Sequence, residues 1–182
     1  MIVTIHGTHG SGKSTVVRRV MEYFPNRKEL MRHPRRRPLG YILSTEDSPV
    51  PLFIPGHYET PCGGCDTISA VDDAYNLIRT YADNRTNVLF EGILAQHSTR
   101  NLLSLKPWNP VVLILNVSDD DAVAAVTQRR KERGDERPLN PSNIISENRS
   151  IKNRVPKLKD AGFDVNWVDR DEAVALCLRL LR

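Results

Sequence analysis

No apolar run in this 182-residue sequence approaches the ~20 residues that cross a bilayer; the longest, 111–115 and 173–178, are short strand or helix cores. No signal-peptide pattern follows Met1, so the expectation is a soluble cytoplasmic protein without a membrane partner. Cysteine is scarce: Cys62, Cys65 and Cys177 form an odd set that does not make a secreted disulfide framework. Cys62-Gly-Gly-Cys65 has the spacing of a redox pair or half a zinc site, but a second ligand pair at zinc-like spacing is missing. The other reading is two small residues in a tight, glycine-permitted loop. Neither an internal repeat nor a low-complexity tract occurs, and the length suits one compact domain, 1–182, that can fold on its own core.

Charge is present but unevenly placed. Residues 1–40 hold nine basic and two acidic side chains, net +7, whereas 41–125 hold four and eleven, net −7. Residues 126–160 hold ten and five, net +5, and 161–182 three and four, net −1. Two basic blocks around an acidic middle suit a protein that handles polyanions.

The order of elements is that of an α/β protein. The β-branched run Ile2–His6 reads as a buried strand, and Val16, Val17, Val20, Met21 and Phe24 follow helical spacing until Pro25. Strand and helix alternate again through 88–90, 111–117 with a helix over 119–133, and 163–168 with a helix over 171–181. This pattern predicts a three-layer sandwich around a mainly parallel sheet. The segments 39–43 and 51–54 read as edge strands or an irregular insert, because four prolines lie from Pro38 to Pro55. A helix is expected over 66–82, capped by Asp66 or Thr67, and another over 143–159 with a kink or break at Pro156.

Between the first strand and helix, Gly7-Thr8-His9-Gly10-Ser11-Gly12-Lys13-Ser14, followed by Thr15, fits G-x-x-x-x-G-K-[ST] at every defined position. Its glycines let backbone N–H groups wrap phosphates at a helix N-terminus. Lys13 is then placed for the β- and γ-phosphates of ATP, and the Ser14 hydroxyl for Mg²⁺. Neither the Asn-Lys-x-Asp and Asp-x-x-Gly strings of GTPases nor the Leu-Ser-Gly-Gly signature of transport ATPases occurs.

By size and element order the chain resembles the nucleotide-kinase group of phosphate-loop proteins, with thymidylate kinase the nearest branch. A carboxylate at the end of the 88–90 strand emerges beside the loop. That residue is Glu91, a candidate for holding Mg²⁺ through water or for taking a proton from an attacking hydroxyl. Thymidylate-kinase-like enzymes more often carry an Asp-Arg pair there; Glu91-Gly92 departs from it. The resemblance also places a mobile lid at about 128–141. Within it Arg129 and Arg133, four apart, share a helix face and can reach one anion.

The acceptor side falls between the first helix and Glu91, with an insert at about 30–66. Its string from Pro55 to Thr67 mixes turn residues with hydrogen-bonding and aromatic side chains. There Tyr58 is a candidate to stack on a base, His57 or Glu59 to read its edge, and Asp66 to serve as a base or a cap. This loop, the phosphate loop and the short length resemble bacteriophage kinases of the thymidylate-kinase-like family that act on 5-hydroxymethyluracil already in DNA. That resemblance implies DNA as a partner, and the basic N-terminal block agrees with it, since a strand offers a row of phosphates to Lys28, Arg32, Arg35, Arg36 and Arg37; a target base inside a duplex would have to be flipped out. It also implies the host cytoplasm as the location. The competing expectations are a deoxynucleoside monophosphate kinase, whose acceptor clamp includes the same arginines, and a slowly hydrolysing nucleotide-dependent switch or DNA-binding module.

Overall fold

The computed structural model describes residues 1–182 apart from His33, Arg35 and Glu136. Seven strands form one sheet: β1 (Ile2–His6), β2 (Asn26–Leu30), β3 (Gly40–Thr45), β4 (Ser48–Pro55), β5 (Asn87–Glu91), β6 (Val111–Leu115) and β7 (Asp164–Val168). Their order is β2-β3-β4-β5-β1-β6-β7; the pairs from β4 to β7 are parallel, and β2-β3 and β3-β4 are antiparallel.

Strict alternation in the buried strands builds two cores, because successive side chains point to opposite faces. Val3, Ile5, Leu52, Ile54, Leu89, Leu113 and Leu115 pack on one face, under helices α1 (Lys13–Glu22) and α7 (Arg170–Leu181). Ile2, Phe53, Val88, Phe90, Val112 and Ile114 pack on the other. That face is covered by α2 (Val71–Asp83), α3 (Ile93–His97), α4 (Thr99–Leu103) and α6 (Pro141–Asp160). Helix α5 (Asp119–Glu132) joins α6 through Ala122, Val126 and Ile144. The expected three layers and mainly parallel sheet are present.

Several boundaries differ from the sequence reading. The segments around 39–43 and 51–54 are neither edge strands nor an irregular insert: β3 and β4 lie inside the sheet, with β2 outside them. The prolines are accommodated because β4 pairs with β5 only at Leu52 and Phe53, while Pro49 and Pro51 fall where the β3-β4 register shifts. The expected helix over 66–82 divides into a single 3-10 turn, Cys65–Thr67, and α2, whose N-cap is Ala70; neither Asp66 nor Thr67 caps it. Helix α6 runs through Pro156 without a break.

This topology sets the edge where ligands bind. The C-terminal ends of β1, β4 and β5 point one way, and antiparallel pairing of Leu30 with Gly40 and Gly40 with Pro55 brings the β2-β3 connection to the same edge.

Candidate active site

The loop after β1 forms because glycine occupies the positions that need it. Gly10 and Gly12 have φ of 80° and 97°, and a Cβ on Gly10 would lie 2.4 Å from the Ala122 carbonyl oxygen. Helix α1 then starts at Lys13, so its first N–H groups open into a cavity of 480 Å³. His9, Gly10, Gly12, Lys13, Ser14 and Thr15 line it from the loop, with Arg18, Asp66, Glu91 and Arg129 from other elements. The Lys13 ammonium is buried and donates to the carbonyls of Gly7 at 2.7 Å and Thr8 at 3.1 Å; burial lowers its pKa.

Glu91 stands opposite. It is 2% exposed, accepts the Ser14 hydroxyl at 2.8 Å, and burial pushes its pKa up to about 7 against the pull of Lys13 and Ser14. A Cβ on Gly64, whose φ is 75°, would lie 2.5 Å from a Glu91 carboxylate oxygen, so the loop over 55–67 rests directly on this group. That contact gives the Cys62-Gly-Gly-Cys65 spacing a physical reason. Cys62 is exposed and Cys65 buried, both as free thiols, and burial pushes the Cys65 thiol well up. Among the described residues no cluster of three His, Cys, Asp or Glu side chains is placed to hold a metal ion. Two hard oxygen donors, Ser14 and Glu91, nevertheless meet at the loop and fit a Mg²⁺ ion carried in with phosphates.

The other sequence candidates divide. Asp66 lines the cavity but accepts the N–H groups of Ile93 at 2.7 Å and Leu94 at 2.9 Å, so it caps α3 rather than its own helix. Ala125, Arg129 and Glu132 present one face of α5 to the cavity. Arg133 lies past the end of that helix and donates to the Cys62 sulfur at 3.7 Å. Tyr58 is 7% exposed, with its ring among core residues, 6.4 Å from that of Tyr41 and 5.8 Å from the Arg18 guanidinium; it is not placed to stack on a base. Glu59 pairs with Arg27 at 3.2 Å and His57 at 3.3 Å and accepts the Tyr41 hydroxyl, so His57 and Glu59 brace the loop. Neither lines the phosphate cavity. Lys28, Arg32, Arg36 and Arg37 are exposed, the last three on the β2-β3 connection; Arg35 lies outside the described residues.

No protein-family model matches the chain. Over 99% of its length, and over 96% of the relative, it is 36% identical to a protein of Pseudomonas phage PaMx11 named 5-hmdU DNA kinase. The chain belongs to the 5-hmdU DNA kinase family. A second 5-hmdU DNA kinase, from Delftia phage PhiW-14, is 25% identical over 93% of this chain and 68% of its own length. Among solved structures, deoxyadenosine kinase from M. mycoides with bound dATP shares the fold. Its TM-score is 0.52 at 18% identity, with 100% of this chain and 99% of that one covered.

In this 5-hmdU DNA kinase family member, two residues that sequence reasoning missed hold the start of the phosphate loop. Gln96 is 1% exposed; it accepts the Gly7 N–H at 2.9 Å and donates to the Gly7 carbonyl at 3.1 Å. Glu147, on α6, accepts the Thr8 hydroxyl at 2.9 Å and the His9 N–H at 3.0 Å, and lies 3.4 Å from the His97 ring. Burial opposes its charge, but the His9 and Thr8 hydrogen bonds together with nearby positive charge, that of Lys13 included, hold Glu147 below the usual carboxylate range. Arg170, from the start of α7, donates to the Ser11 carbonyl at 2.9 Å.

Proposed function

We propose that this chain transfers the γ-phosphoryl group of ATP to the hydroxymethyl oxygen of 5-hydroxymethyluracil in phage DNA, within the host cytoplasm, as a step in thymidine hypermodification. Membership in the 5-hmdU DNA kinase family is the observation that carries this reading. A phosphate loop facing a buried carboxylate supports it, because a hydroxyl acceptor, unlike a phosphate, must lose a proton.

In this mechanism Lys13 leaves the Gly7 and Thr8 carbonyls for the β- and γ-phosphates, and the N–H groups at the start of α1 take the remaining oxygens. Ser14 and Glu91 are the residues that would hold Mg²⁺, which when bound would offset the negative charge of the phosphates. The hydroxymethyl oxygen attacks the γ-phosphorus and the bond to the bridging oxygen breaks. ADP leaves with that electron pair, and the hydroxyl proton passes to Glu91. Asp66, with both oxygens engaged by α3, acts as an anchor. Arg129 meets the transferring group, and the segment 128–141, with Arg133, closes over it as a lid.

The test offers labelled ATP with DNA containing 5-hydroxymethyluracil, or with free deoxynucleotides. Label in DNA, lost at least about a hundredfold in Lys13→Ala while the cooperative melt is kept, is the expected result. Label confined to a mononucleotide product rejects the reading.

A further inference from the structure

Six large apolar side chains are exposed among the described residues: Met1, Tyr23, Met31, Leu94, Leu103 and Trp167. Leu94 differs from the rest in position. It is 57% exposed and follows Ile93, which lines the phosphate cavity, three residues after Glu91. It is also held firmly. Asp66 accepts the N–H groups of both Ile93 and Leu94, and Gly64, next to the turn that carries Asp66, packs on Glu91. A leucine one residue from the cavity lining, beside Val71, Asp72 and His97 on the neighbouring surface, is therefore fixed to the same backbone as the proposed base while its side chain faces solvent.

A base paired inside a duplex cannot reach a cavity behind a phosphate loop; it has to leave the stack, and the gap it leaves costs stacking energy. Proteins that unstack DNA commonly insert an apolar side chain, leucine among them, between base steps. We infer that Leu94 is the wedge that enters the base stack of duplex DNA as the target nucleotide turns into the cavity. This rests on the proposed DNA substrate. Two carboxylates beside Leu94 in the fold are already engaged by neighbours. Asp66 spends both oxygens on α3, and Asp72 is held by Arg100 at 3.2 Å and Asn101 at 2.6 Å. Of the other exposed apolar residues, Met31 lies on the β2-β3 connection at the same sheet edge, whereas Trp167 lies on the outermost strand β7.

The experiment measures kcat/KM for Leu94→Ala and wild type on one 5-hydroxymethyluracil oligonucleotide in three forms: single-stranded, paired with adenine, and opposite an abasic site. A loss of about tenfold or more on the paired duplex is expected, with the other two forms within about twofold and Leu94→Met restoring the duplex rate. An equal loss on all three forms, or no loss, overturns the wedge. A duplex-specific loss in Met31→Ala with Leu94→Ala unaffected overturns it too and moves the role to Met31. Wild-type turnover on the single strand alone removes the need for a wedge while leaving the DNA substrate standing. No turnover on any form, with free nucleotides phosphorylated, overturns the substrate reading as well.

Discussion

Glu91 is the proposed base, and its environment shifts its titration. Its carboxyl is buried among the phosphate loop, the loop over 55–67 and β5, which raises its pKa from the ordinary 4.5 to about 7. Between those values the folded protein holds a proton that the unfolded chain has released. Stability therefore falls as pH rises from about 4.5 to 7, by on the order of 3 kcal/mol from this group alone. Glu91→Gln removes the titration. In metal-free, nucleotide-free protein, the melting temperature of wild type should drop relative to the variant as pH goes from 5 to 8. A difference that stays constant with pH would show that the group is not held protonated. The same variant should lose phosphoryl transfer at every pH, because an amide cannot take the hydroxyl proton.

At the scale of elements, the phosphate loop is not self-supporting. Its first three residues are held from outside, by Gln96 on α3 and Glu147 on α6, and α6 follows directly from the proposed lid. Glu147→Ala leaves the Thr8 hydroxyl with only the Ile144 carbonyl, 3.0 Å away, and the exposed His9 N–H to solvent, a cost of about 1 kcal/mol. With the loop loosened, KM for ATP should rise about tenfold while kcat changes less; steady-state kinetics at varied ATP, with melting curves alongside, measures both. An unchanged KM would mean that Glu147 supports α6 alone. None of this support was legible in the sequence, because Gln96 and Gly7 are 89 residues apart and Glu147 and Thr8 are 139 apart. Local signals carried further. The run β1, loop, α1 is readable because strand, glycines and helix face are adjacent, and Glu91 because a buried strand ends there. Strand β2, Asn-Arg-Lys-Glu-Leu, has no apolar alternation to mark it, since an edge strand with exposed side chains needs none. The prolines of β4 look like edge markers until the partial pairing with β5 explains them, and Asp66 looks like a cap for the helix after it while capping a helix 27 residues further on.

Over the whole molecule, the sheet gathers its ligand-facing parts at one edge. Three strand spacings of about 4.8 Å separate β1 from β3 and four separate it from β2, so the connection carrying Arg32, Arg36 and Arg37 sits roughly 14 to 19 Å to the side of the phosphate loop. None of these arginines lines the 480 Å³ cavity, and their place suits phosphates further along a strand whose target base is proposed to occupy that cavity. Each cation engaged releases counterions, so log affinity for DNA should fall linearly with log salt. Arg36→Ala with Arg37→Ala should reduce that slope by about 2 and weaken binding uniformly across sequences, leaving KM for ATP as in wild type. Fluorescence anisotropy with a labelled duplex at 50 to 300 mM salt gives the slopes directly. A double variant with the wild-type slope would detach the β2-β3 connection from the DNA path and leave the lid arginines as the cations in contact with the strand.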